Sequence, residues 1–177
     1  MEVNGNNDGI LNRKQSLLMA MNERKEKALY NFNSDFSGRY GSVGGYFVSY
    51  ALKADGHGKV NKRGFLDDNI RCSSRPILLL YDHDYYQIVG LVTRIEERQA
   101  GVFMEADFMD TERAQEIRKL VSMGAVAQLS CALYEYVVHD VYLPDGSRAV
   151  ERGECDLLEI SITPEPAQPM CVITDIN

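Results

Sequence analysis

The sequence predicts a mainly β (α+β) protein, a small barrel-like β domain with flanking helices. Two observations predict it. After residue 42, short apolar or alternating runs recur, each bounded by Gly, Pro or Asp, as strands separated by tight turns are. One clear helical pattern interrupts them, between Asp110 and Gly124, and many short strands with one central helix point to a small barrel or sandwich.

Residues 1–42 read as a helical extension and linker, and residues 43–177 as the main domain. Within "ILNRKQSLLMAMNERKEKAL", Ile10 to Leu29, the residues Leu17, Leu18, Met21, Lys25 and Ala28 recur near helical spacing, which predicts an amphipathic helix. "NFNSDFSGRYGSVGG" follows, rich in Asn, Ser and Gly, as a connector is. From Tyr46 the pattern turns to β. "YFVSYALK" alternates and stops at "ADGHGK", a turn built on Asp-Gly and a second Gly. "RPILLLY" is a short apolar strand ending at "DHD". Gln87–Glu97 and Gly101–Met109, joined by a short polar turn, form a hairpin.

Asp110 or Thr111 can cap the helix that follows, Ala114, Ile117, Leu120 and Val121 give it one apolar face, and Gly124 stands where a C-terminal cap glycine belongs. A strand over Val126–Val138 comes next, then a "LPDGS" turn, then "CDLLEISIT", Cys155 to Thr163, as the last strong strand. The prolines of "PEPAQP" end regular structure, because proline cannot donate to a sheet ladder.

Composition narrows the function classes. Hydrophobic residues make up 45% and charged residues 25%, which is ordinary for a globular domain with one core. A formal net charge of −7 gives no electrostatic reason to expect nucleic-acid binding. The longest apolar run, "PILLLY", is far short of the ~20 residues that span a bilayer, and the N-terminus lacks the apolar core of a secretory signal. Four cysteines show neither a CxxC pair nor metal-ligand spacing, so they read as reduced thiols of a cytoplasmic-type protein. No phosphate-cradling glycine pattern is present, and no second histidine lies at ligand spacing from "DHD"; no metal or cofactor is expected.

Three histidines limit the search for a general base. His57 lies in the glycine-flanked turn "DGHGK", and His139 follows "YEYVV" at a strand end. His83 stands where the apolar strand "LLLY" gives way to a polar loop; it reads either as a loop histidine paired with Asp82 or Asp84, or as a base held at a rigid strand end. In "QLSCALYEY" strand alternation separates Ser130 from Cys131, which shares its face with Leu129 and Leu133 and reads as a small buried hydrophobe. In "CDLLEISIT" the same alternation puts Cys155, Leu157, Glu159 and Ser161 on one face and Asp156, Leu158, Ile160 and Ile162 on the other. Glu159 either looks at water or orients a histidine, since an unpaired buried carboxylate is expensive.

Three segments, "PILLLYDHDYYQIVGLVTRIEE", "LVSMGAVAQLSCALY" and "CDLLEISITPEPAQP", occur in this order, preceded by "GYFVSYALKADGHGKVNKRGF". Together they resemble the caudoviral prohead (capsid-maturation) serine proteases, relatives of the herpesvirus assemblins, over roughly Gly45 to Pro169. "DLLEISITPEPAQP" is the most specific element, "YDHDYYQIVG" matches the histidine segment and "GAVAQLS" the nucleophile segment.

The resemblance implies a serine endopeptidase that cleaves scaffold or capsid-protein segments inside an assembling procapsid in the host cytoplasm, with self-cleavage. It makes His83 the general base, Ser130 the nucleophile and Glu159 the third member, with Asp156 the other claimant. Residues 1–42, outside the resemblance, are expected to be a propeptide or a tether to the capsid or scaffold, and the resemblance implies a homodimer, as in the assemblins. The alternative is an inactive protease-like β domain serving as a capsid-assembly or scaffold module.

Overall fold

A computed structural model describes residues 27–31, 40–73 and 75–177, which form nine strands and two short helices. In chain order these are β1 (Lys27–Asn31), β2 (Ser42–Ser49), β3 (Lys59–Asn61), α1 (Asp67–Cys72), β4 (Leu78–Tyr81), β5 (Asp84–Glu97), β6 (Gly101–Phe108), α2 (Glu112–Ser122), β7 (Gln128–Tyr142), β8 (Arg148–Thr163) and β9 (Ile173–Ile176). The mainly β expectation holds.

All nine strands join one sheet of order β3-β8-β4-β5-β6-β2-β9, with β1 beside β5 and β7 beside β8. The long strand β8 organises it. One edge of β8 runs parallel first to β3, with Lys59 opposite Val150, and then to β4, with Leu79 opposite Ile160. Its other edge pairs antiparallel with β7 along nearly its whole length.

The sheet is open in its ladder order, yet it curls until its ends meet. Gln128 at the start of β7 bridges Val172, the Leu129 N–H donates to the Cys171 carbonyl, and the Ile173 N–H donates to the Ala127 carbonyl. Gly45 of β2 makes that approach possible. A Cβ there would run into the Val172 carbonyl and stand 2.8 Å from a Leu129 methyl. Inside the curl Phe47, Val92, Ile95, Met104, Phe108, Leu129, Ile160 and Ile162 are buried, and α2 covers them with Ala114, Ile117 and Val121. Thr111 caps α2 by accepting from the Ala114 N–H, and Gly124 ends it at φ 71°.

The structure departs from the expected elements at three places. The expected helix over Ile10–Leu29 lies outside the described residues except for its end, and Lys27, Ala28 and Leu29 there belong to strand β1, paired with Arg94–Glu97 of β5. The edge of β5 beyond β4 offers backbone groups that need partners, and tertiary pairing outweighs the helix propensity of Lys, Ala and Leu. Strand β9 resumes regular structure after the prolines, because Ile173–Ile176 completes the free edge of β2. Helix α1 lies in a stretch without a long apolar period, six residues with Asp67 and Asp68 in its first turn and Arg71 in its last.

Buried charge fastens β3 to β8. Arg152 is nearly inaccessible and meets Asp55 at 2.9 Å, Glu135 at 2.8 Å and the Asn61 side-chain oxygen at 3.0 Å, while Lys59 reaches Glu135 at 2.6 Å. A buried guanidinium is tolerated when its donors are taken in this way.

Candidate active site

The β4–β5 turn positions His83. Tyr81 pairs with Asp84, so Asp82 and His83 are the two residues of the turn, and both are left-handed, at φ 54° and 60°. Two-residue hairpin turns of this kind match the twist of their strands but usually carry Asn-Gly. Here neither residue is glycine, which costs roughly 1–2 kcal/mol per residue. Strand β8 restrains the strain through three bonds. The Asp82 N–H donates to the Ile162 carbonyl at 2.9 Å, the His83 N–H to Ser161 Oγ at 3.1 Å, and the Thr163 hydroxyl to Asp82 Oδ1 at 2.7 Å.

The His83 side chain lies over β8, where its Nδ1 stands 2.7 Å from Glu159 Oε1. Glu159 is completely buried, and its other oxygen, Oε2, accepts the Ser161 hydroxyl at 2.6 Å. Both carboxylate oxygens are therefore occupied, as burial of an anion requires. The imidazole is 40% exposed. Its hydrogen bond to Glu159 raises its pKa above the ordinary histidine value; burial opposes this, and the charges of Glu159 and Asp82 add to it.

Ser130 arrives from β7. It stands directly opposite Ser161 in the ladder, and the next pair on that face, beyond Cys131–Ile160, is Ala132 with Glu159. Directly opposed residues share a face, so Ser130, Ser161 and Glu159 lie on the same side of the sheet as His83. Ser130 is buried, and among the described residues no hydrogen bond joins its Oγ to His83. Such contacts are often long before substrate tightens the site.

The alternation expected along "CDLLEISIT" is interrupted. The register slips between Ala132–Glu159 and Leu133–Leu157, leaving Leu158 without a partner in a β-bulge. Cys155 and Leu157 consequently join Ile160 and Ile162 on the core side, and Glu159 shares its face with Ser161 but not with Cys155. The bulge re-aims the strand just before the carboxylate.

The other candidates go elsewhere. Asp156 accepts a hydrogen bond from the Tyr136 hydroxyl. Asp82 is bonded to Thr163 and Asp84 to Gln87, so His83 pairs with neither of its sequence neighbours. His57 and His139 are exposed. Cys131 packs against the core beside Leu133, and burial pushes its thiol well above the ordinary cysteine value, which keeps it protonated. Cys131 also lines a cavity of about 40 Å³, with Phe47, Leu129 and Cys171 among its other walls. Sequence reasoning missed Ser161, Thr163 and Asp82 as supports; the signal was the polar series Glu159, Ser161, Thr163 at every second position of an otherwise apolar strand.

Among the described residues no group of three or more His, Cys, Asp or Glu is placed to hold a metal ion, and no helix is long and apolar enough to cross a membrane.

A search of curated proteins finds no match. Among solved structures, the protease of Kaposi's sarcoma-associated herpesvirus is similar. Its complex with a hexapeptide phosphonate inhibitor gives 14% identity and a TM-score of 0.46 over 75% of this chain and 63% of that one. A second structure of the herpesvirus protease gives 11% identity and 0.42 over 76% and 59%. A third, with a dimer disruptor, gives 12% and 0.40 over 76% and 75%. The chain thus spans less than two thirds of the first two. Residues 30–176, a stretch that includes the His83 turn, the Ser130 strand and the Glu159 strand, match the sequence model of one family. The chain belongs to the caudovirus prohead serine proteases.

Proposed function

We propose that the chain is a serine endopeptidase that cleaves scaffold or capsid-protein segments during procapsid maturation of a tailed phage, and that it also cleaves itself. Residues 1–42 are the segment put forward for self-cleavage or tethering, with β1 as the part of it that stays in the sheet. Ser130 is the nucleophile, His83 the general base and Glu159 the carboxylate that orients it. The observation that carries this reading is the bond from His83 Nδ1 to a fully buried carboxylate on the face that Ser130 shares.

With Nδ1 engaged, Nε2 is the nitrogen left to take the Ser130 proton. Ser130 Oγ then attacks the scissile carbonyl, and the imidazolium formed at His83 is stabilised by the Glu159 charge. That imidazolium returns its proton to the leaving amine, which departs and leaves an acyl-serine. Water attacks the acyl carbon, giving its proton to His83, and the second collapse frees Ser130. Cys131, although intrinsically the better nucleophile, stays a protonated thiol packed against the core.

Co-expression with the scaffold and major capsid proteins of the same phage tests the proposal. The wild-type chain is expected to shorten one of them and itself, and Ser130→Ala to leave both at full length. Cleavage that continues in Ser130→Ala overturns the assignment of the nucleophile. A folded wild-type chain that cleaves nothing favours the structural-module alternative.

A further inference from the structure

Ser161 is fully buried, and its single hydroxyl is bonded to both partners of the His83–Glu159 pair. It donates to Glu159 Oε2 at 2.6 Å and accepts the backbone N–H of His83 at 3.1 Å. We propose that Ser161 is a positioning residue for the peptidase reaction, holding the carboxylate and the turn that carries the base in one fixed relation. This inference rests on the reading of His83, Ser130 and Glu159 as the reacting set.

A carboxylate held through one oxygen can still rotate about its terminal torsion, which is broad and soft. With Oε1 on His83 and Oε2 on Ser161, rotation breaks at least one short bond, and in a buried site the broken bond is not replaced by water. The His83 backbone meanwhile sits in a left-handed conformation that a histidine does not prefer, and the acceptor for its N–H is the same hydroxyl.

Thr163 repeats the device two residues on, donating to Asp82 Oδ1 and accepting the Glu165 N–H. Its bonds reach the turn but not the carboxylate. Ser161 reaches both, and it stands opposite Ser130 in the ladder, so base, carboxylate and nucleophile are referenced to one pair of strand positions. An ordinary filler serine satisfies one neighbour; this one joins two elements whose mutual placement decides which imidazole nitrogen is free.

The test separates positioning from stability. Fluorophosphonate labelling of Ser130 in the full chain reports the reactivity of the site, with circular dichroism confirming the fold. Ser161→Ala is expected to slow labelling roughly 10- to 100-fold, as a displacement of about an ångström at a reacting group does.

A second readout does not depend on catalysis. In a Ser130→Ala background, nitrogen-15 NMR of His83 at a pH where it is neutral is expected to show one tautomer, protonated at Nδ1, with a downfield, slowly exchanging proton. Adding Ser161→Ala should broaden that proton into exchange and move the two ring nitrogens toward the averaged pattern of mixed tautomers. Ser161→Cys, which nearly keeps the volume but offers a weak donor, should show the same changes to a smaller extent, and it decides the matter should the alanine variant lose its fold.

Labelling within twofold of wild type together with unchanged His83 resonances overturns the inference. Slowed labelling with unchanged resonances overturns it as well, since the effect then lies elsewhere. A wild-type chain that takes no label defeats the peptidase reading on its own, while the resonances still decide whether Ser161 holds the pair.

Discussion

Ser130 of β7 and Ser161 of β8 stand opposite each other in the antiparallel ladder, and the next pair on their face is Ala132–Glu159. The serine proposed as nucleophile and a serine that ties a histidine turn to its carboxylate therefore lie side by side on one face. The pairing register of two long strands, far apart from His83 in sequence, sets the distances of the whole site. Four consequences can be measured.

Glu159→Gln keeps the volume but replaces an acceptor with a group that also donates. The amide can present its NH2 to His83, favouring the tautomer with the wrong nitrogen protonated. The labelling rate or kcat is expected to fall by about 10³- to 10⁴-fold, as in comparable substitutions in Ser-His-Asp enzymes, with little change in the folded structure. Asp156→Asn, at a carboxylate that accepts from the Tyr136 hydroxyl and not from His83, should leave activity within about twofold, as changes away from a site do.

The pH dependence follows from the raised pKa of His83. The imidazole must be neutral to accept a proton, so kcat/KM should rise with pH along a limb whose midpoint lies above the ordinary histidine value of about 6.5. Protonation of His83 is favoured by folding, so its contribution to stability is complete below the unfolded pKa and fades as pH climbs through the folded one. Thermal unfolding of wild type and His83→Gln should thus differ most at pH 5–6 and converge at alkaline pH. A difference that widens with rising pH would contradict the direction of the shift.

Cys131 is expected to be chemically quiet. Iodoacetamide should modify exposed Cys72 well before Cys131 in the native chain, and activity should survive that treatment. Inactivation that tracks alkylation at Cys131 would make the cysteine, and not Ser130, the nucleophile.

Gly45→Ala tests the closure of the sheet. The added methyl group meets the Val172 carbonyl and Leu129, backbone and core atoms with little freedom to move. A loss of about 1–3 kcal/mol, typical of overpacking, is expected from urea denaturation. Because Leu129 adjoins Ser130, labelling should slow as well, whereas Gly58→Ala, in an open turn with nothing near the new Cβ, should leave labelling unchanged.

Much of this was legible in the sequence because most signals were local. The β5–β6 hairpin, the α2 cap at Thr111 and Gly124, and the core face of Leu129, Cys131 and Leu133 follow from period and turn chemistry. What was not legible is what pairing decides. Lys27–Leu29 look helical, but β1 answers an unpaired edge of β5. The bulge at Leu158 reverses the strand's parity, and nothing in "CDLLEISIT" marks where an extra residue will be absorbed. Locally, His83 has Asp82 and Asp84 as the obvious partners; the turn geometry sends those carboxylates to Thr163 and Gln87 and leaves Glu159, 76 residues away, for the imidazole.

The assignment of Ser130 as the nucleophile is tested most directly by mass mapping of a fluorophosphonate adduct on the full chain. One adduct is expected, on Ser130, formed by wild type, absent from Ser130→Ala, and slowed by orders of magnitude in His83→Ala. An adduct on another residue, or labelling of Ser130 that is indifferent to His83, would contradict it.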